Sequence, residues 1–158
     1  MAINLNWTGP FRLVNGAQQH LIYGVQNIDK ISEGPGVYVF SRAYADKVEP
    51  LYIGKAVNVR ARIAQHLKNN VSLMTKMKNK ALNGQRVLYV GVLDDHQGMD
   101  EDKAIEVAER ALISAAIFEG YELFNQQGTK KPVYTIKGSG RMDARRWWPN
   151  QKHLEVPR

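Results

Sequence analysis

Two tyrosines stand in mirrored glycine settings, Gly36-Val37-Tyr38 and Tyr52-Ile53-Gly54. If each tripeptide lies on a short strand and the two strands pair, both phenols can face one side, with glycine leaving backbone open beside them. Lys55 follows directly, and then Arg62 and His66, which are four residues apart and so share one helix face. A carboxylate, Glu109, lies in the segment ERALISAAIF. On a helical wheel that starts at Ile105, Ala108, Leu112, Ala115 and Ala116 form the apolar stripe. Glu109 falls at the stripe's edge, where a carboxylate can line a cleft while its helix is packed, whereas Glu106, Arg110 and Ser114 point away. The chain has no cysteine, which excludes thiolate nucleophiles, disulfides and cysteine-held zinc.

The charge around these residues selects a partner. Eight cations occur between Leu51 and Leu93 (Lys55, Arg60, Arg62, Lys68, Lys76, Lys78, Lys80 and Arg86), with no acid among them. The sign inverts from Asp94 to Glu122, and the tail from Leu123 is basic again, within a net charge of +7. A merely solvated surface mixes signs, so a one-signed stretch of this length suits a phosphate polyanion. No basic amphipathic helix with a bulky apolar face favours an anionic membrane, and nucleic acid is the expected partner.

The elements that must position these side chains read as follows. FRLV (Phe11–Val14) and HLIYGV (His20–Val25) form an N-terminal hairpin about the turn NGAQ. Val37–Phe40 and Leu51–Ile53 form two strands of an antiparallel hairpin joined by the polar link SRAYADKVEP. Asn58 caps a helix whose core stripe is Val59, Ile63 and Leu67. A second basic helix covers Ser72–Leu82, and RVLYVGVL (Arg86–Leu93) is a strand. Asp100, Glu101 and Asp102 open a long helix with negative charge at its positive end, and it runs to about Phe118 and stops at Gly120. VYTI (Val133–Ile136) is one more strand, and residues from Gly138 onward read as loop and loosely packed tail, with Trp147 and Trp148 docking it on the domain or, beside Arg145 and Arg146, stacking on bases. The predicted fold class is α+β, a small three-stranded antiparallel sheet flanked by helices, with an extra N-terminal hairpin and a C-terminal tail. One domain spans 1–158, with a core over 34–125 and a basic extension over 126–158.

The pattern resembles the GIY-YIG nuclease family. Its first signature stands here as Gly36-Val37-Tyr38, its second intact as Tyr52-Ile53-Gly54. Asn58-Val59 precedes the arginine matched by Arg62, His66 follows one turn on, Glu109 opens the segment matched to the metal-binding glutamate, and Asn125 matches the asparagine that closes the core. Singly, each residue reads as an ordinary sheet, surface or turn residue; the joint occurrence in order is what carries the resemblance.

The resemblance implies hydrolysis of DNA phosphodiesters with one divalent metal, Mg²⁺ or Mn²⁺, held by Glu109. Arg62 would bind phosphate oxygens through its planar fork. Tyr52, alone or relayed by Tyr38, would orient or deprotonate the water, its phenolate favoured by Lys55 and Arg62. His66 is the alternative base or the partner that positions a phenol. Lys55, Asn58, Arg60, Lys76, Lys78, Lys80 and Asn125 are expected to contact substrate. A catalytically silent DNA-binding module of the same fold is one alternative, which loss of Arg62 or Glu109 would mark, and neither is lost. An RNA-binding domain is another, without a ribonucleoprotein aromatic motif or GxxG loop to support it. The chain has no room for a large DNA-binding domain, so recognition falls to the basic helix and tail, to a homodimer or specificity partner, or is loose.

At 158 residues, 44% of them hydrophobic and 23% charged, the chain has the composition of a globular domain. Its first residues, MAINLNWTGPFRLV, lack the basic segment and apolar run of a secretory signal. Its most apolar stretch, ALISAAIF, is far shorter than the ~20 residues that cross a bilayer. A cytoplasmic protein, free or nucleoid-associated, without membrane contact is expected.

Overall fold

Two apolar patterns set the architecture, the unbroken run Val37–Phe40 and the alternation of Ile3, Leu5 and Trp7. A computed structural model describes residues 2–81, 83–125, 132–140 and 154–157, the last two ranges as backbone. In chain order the strands and helices are β1 (Ala2–Asn15), β2 (Tyr23–Val25), β3 (Gly36–Tyr44), β4 (Lys47–Ala56), α1 (Val59–Asn69), α2 (Val71–Asn79), β5 (Gln85–Asp95), α3 (Glu101–Phe118), β6 (Pro132–Gly140) and β7 (Leu154–Pro157). The sheet runs β4-β3-β5-β1-β6-β7, with β2 paired to β1. The first five strands all pair antiparallel. β6 then adds to β1 in parallel, and β7 pairs antiparallel with β6.

The α+β class stands, but the sheet is not three-stranded. Its antiparallel part alone has five strands: the expected N-terminal hairpin forms, Leu13–Asn15 pairing with Tyr23–Val25, but its first strand starts at Ala2 and joins the main sheet through β5. β1 is long enough to pair with β5, with β6 and, at its far end, with β2. The supposed link Ser41–Pro50 is also strand: β3 and β4 continue to Tyr44↔Lys47 and turn through Ala45-Asp46, with Ala45 left-handed at φ 51°. Opposite charges hold that extension, where Arg42 faces Glu49 across the ladder at 3.4 Å. Part of the tail read as loop is strand as well, over 138–140 and 154–157. Trp147 and Trp148 lie outside the described residues.

β3 reads as continuously apolar because both of its faces are covered. Val37 and Val39, with Ile53 from β4, Tyr89 from β5 and Ile3, Leu5 and Trp7 from β1, pack against α3. Tyr38 and Phe40, with Leu88 and Val90, pack against α1 and α2 through Val59, Ile63, Leu67, Leu73, Met74 and Met77. Each such side chain taken fully out of water contributes about 1.5–3 kcal/mol. Asn58 caps α1 as expected, its Oδ1 accepting from the Ala61 N–H, and Asp100, expected only as charge at the start of α3, caps that helix by accepting from the Lys103 N–H. α3 ends at Gly120, whose φ of 89° suits glycine. Ser114, expected to point outward, is buried, because α3 also packs against β6 and β7. Among the described residues no helix is long and apolar enough to cross a membrane.

Candidate active site

The site is built on β4, the strand at the edge of the sheet. Pairing brings Tyr38 opposite Gly54 and Phe40 opposite Tyr52. The Tyr38 ring lies across Gly54 so closely that a Cβ there would stand 2.3 Å from both Cζ and Oη of the phenol. The glycine of the second signature is therefore required by the tyrosine of the first. The two phenol rings stack with centroids 6.4 Å apart and planes 23° from parallel.

α1 delivers the next two groups. Its N-terminus is fixed by the chain before β3, where the Val59 N–H donates to Gly34 O (3.1 Å) and the Arg60 N–H to Ser32 O (3.1 Å). His66 then enters a ring cluster, 5.6 Å from Tyr38, 5.5 Å from Tyr52 and 6.1 Å from Phe40 between centroids. It is only 4% exposed, and its Nε2 is 2.7 Å from Tyr38 Oη. Arg62, one turn earlier, is exposed; its Nη1 donates to Gln65 Oε1 at 3.2 Å. Beside them opens a polar groove of about 330 Å³ lined by Arg62, Gln65, His66, Asn69 and Asn70.

Glu109 arrives from the other face. It is half-buried on α3, and the charge that acts on it most strongly is Lys55 of β4, which holds down a pKa that burial raises. Glu109 and Arg62 both act on the two phenols, in opposite directions. Groups from both faces of the sheet thus share one electrostatic neighbourhood around β4.

Burial dominates the titrations. Tyr38 is shifted above the ordinary phenol range by desolvation first, then by Tyr52 and Glu109, against a hydrogen-bonding contact and the charge of Arg62. Tyr52 is raised by desolvation and Glu109 against Arg62. Arg62 favours both phenolates as expected, but desolvation outweighs it, and the charge of Lys55 acts on Glu109. His66 is lowered to about 4 by desolvation and by Arg62, so its imidazole is neutral at neutral pH.

The expected substrate contacts divide. Arg60 is spent within the protein, its Nε donating to Ile31 O (2.8 Å), Nη1 to Glu33 Oε1 (2.5 Å) and Nη2 to Asp29 O (2.6 Å). Asn58 is occupied as the cap of α1. Asn125 reaches the site as a clamp on the β4 edge, where its Nδ2 donates to Ile53 O (2.5 Å) and its Oδ1 accepts from the Ile53 N–H (3.3 Å). Lys55, Lys76 and Lys78 are exposed and Lys80 is half-buried. Sequence reasoning missed Phe40, which walls the ring cluster, and Asn70, whose spacing of four from His66 at a helix junction was the available signal.

Among the described residues no group of three or more His, Cys, Asp or Glu could hold a metal ion. A lone carboxylate suits a hard cation that keeps most of its water and completes its shell on phosphate, not a caged zinc. No protein-family model matches the sequence, and no solved structure matches the chain.

Proposed function

We propose that this protein is an endonuclease that hydrolyses phosphodiester bonds in DNA. The observation that carries the reading is the convergence of two stacked phenols, an exposed guanidinium, a buried neutral imidazole and one half-buried carboxylate at the β4 edge. The order of those residues along the chain matches the GIY-YIG resemblance, and the cations of the 51–93 stretch that remain exposed favour a polyanion.

In this reaction water adds to phosphorus and the P–O3′ bond breaks, leaving a 5′-phosphate and a 3′-hydroxyl that takes up a proton. Arg62 binds the non-bridging oxygens, two at once where its fork is aligned. Tyr52, the more accessible phenol, orients the water. Tyr38 lies beneath it, held in place by His66. Glu109 would hold Mg²⁺ or Mn²⁺, and that ion, when bound, supplies positive charge to the phosphate and the leaving oxygen. Lys55 opposes the rise that burial imposes on the Glu109 carboxyl.

The test compares the protein and Glu109→Ala on linear, nicked and branched DNA with Mg²⁺ or Mn²⁺. The expected result is cutting by the natural chain and none by the variant, with DNA binding intact in both. Mg²⁺-dependent cutting by Glu109→Ala would remove that carboxylate from the mechanism. Binding without cleavage of any DNA by the natural chain would make the protein a silent DNA-binding module.

A further inference from the structure

α1 and α2 are joined by one residue, Asn70, and it is tied to His66 twice. Its backbone N–H donates to His66 O at 3.1 Å, closing α1. Its side chain opens α2, with Oδ1 accepting from the Leu73 N–H at 3.2 Å, and its Nδ2 is 3.1 Å from His66 Nδ1. A backbone N–H can only donate, so the cap fixes which end of the amide faces α2. The NH₂ must then face the imidazole. An NH₂ group has no lone pair to offer there, so Nδ1 must be the unprotonated nitrogen.

We infer that Asn70 is a positioning residue that sets the tautomer of His66: the ring carries its proton on Nε2 and donates it to Tyr38 Oη. The inference rests on the proposed nuclease reading only for its consequence in catalysis. A Tyr38 oxygen that already receives the Nε2–H has its own hydrogen free to point elsewhere, and any negative charge it acquires is stabilised. His66 then acts as a hydrogen-bond donor to the phenol, and its Nε2 is not available to take a proton from water. Protonating the ring would set Nδ1–H against the Asn70 NH₂, a second reason beside burial for an imidazole that stays neutral. The titratable groups facing the ring are Tyr38 from β3, Tyr52 from β4 and Arg62 from α1. Among the described residues no carboxylate hydrogen-bonds to it.

The test is ¹⁵N NMR of histidine-labelled protein without DNA or metal, so its outcome is independent of whether the protein cuts. The natural chain should show a protonated Nε2 and a bare Nδ1 on His66. Asn70→Asp keeps an acceptor for the Leu73 N–H but replaces the NH₂ by an acceptor. The proton should therefore move to Nδ1, and the midpoint of His66 should rise by about one unit or more. Asn70→Ser keeps a cap with no NH₂ and should give a mixture of tautomers. A proton on Nδ1 in the natural chain, or an unchanged tautomer in folded Asn70→Asp, would overturn the inference. The spectrum of the natural chain decides it even if neither variant folds. Correct tautomers in a protein that cuts no DNA would sink the nuclease reading alone.

Discussion

A buried imidazole stores a pH dependence that can be measured on the protein without substrate. Free histidine titrates near 6.5, whereas burial and Arg62 lower His66 to about 4. Between those values the unfolded chain binds the proton more readily, so acid favours unfolding. The stability advantage of the natural chain over His66→Gln should be full above pH 6.5, shrink by on the order of 2–3 kcal/mol as pH falls to about 4, and change no further below that. Urea titrations across this range check it, and a flat difference would mean that His66 is not buried as a neutral ring. Residue type and spacing were enough to single out Tyr38, Tyr52, Arg62, His66 and Glu109. They could not tell that Arg60 turns inward, because a solvated arginine and one tied to Asp29, Ile31 and Glu33 look alike in a sequence. Asn70 stayed invisible because its role exists only where two helices meet.

Arg86 decides whether α2 has a finished end. Its guanidinium donates to Met77 O (2.8 Å) and Lys78 O (3.4 Å) in the last turn of α2, and to Ala81 O (2.7 Å), Asn83 O (3.2 Å) and Gly84 O (3.2 Å) in the chain that leaves it. Arg86→Met keeps most of the stem's packing and removes every donor. It should lower stability by about 2–4 kcal/mol, read by denaturant unfolding. The starts of α1 and α3 were legible because Asn58 is a capping residue type and Asp100, Glu101 and Asp102 put negative charge at a helix start, and β5 was legible from RVLYVGVL. Only the Phe11–Val14 end of β1 was read as strand, although Ile3, Leu5 and Trp7 alternate with Asn4, Asn6 and Thr8, since the partners of its first half lie far along the chain. The outer half of the β3–β4 hairpin was missed because Ala45-Asp46 is not a customary hairpin turn. Its signal was instead the cross-strand pair Arg42 and Glu49.

Across the molecule, net charge overstates what a polyanion can reach. Arg60 and Arg86 of the basic stretch are consumed inside the fold, leaving Lys55, Arg62, Lys68, Lys76 and Lys78 exposed and Lys80 half-buried. DNA affinity should fall steeply with added salt, because each phosphate contact releases counterions at a slope of about 0.9. Replacing Lys76, Lys78 and Lys80 together by alanine should reduce that slope by about two to three units, while Arg60→Ala should lower stability and leave the slope unchanged. Salt titrations of binding, run beside unfolding curves, separate the two effects. A triple variant with the natural slope would move the DNA track off α2. The place of β1 has a different consequence, for how the protein is made. Asn4 pairs with Asp95, and Ala2 pairs with Thr135. β1 must therefore wait for some ninety residues of synthesis before the β5 partner of Asn4 exists, and longer for β6. Such long-range closure is slow, so the nascent chain carries Ile3, Leu5 and Trp7 uncovered until β5 emerges, a natural substrate for a chaperone.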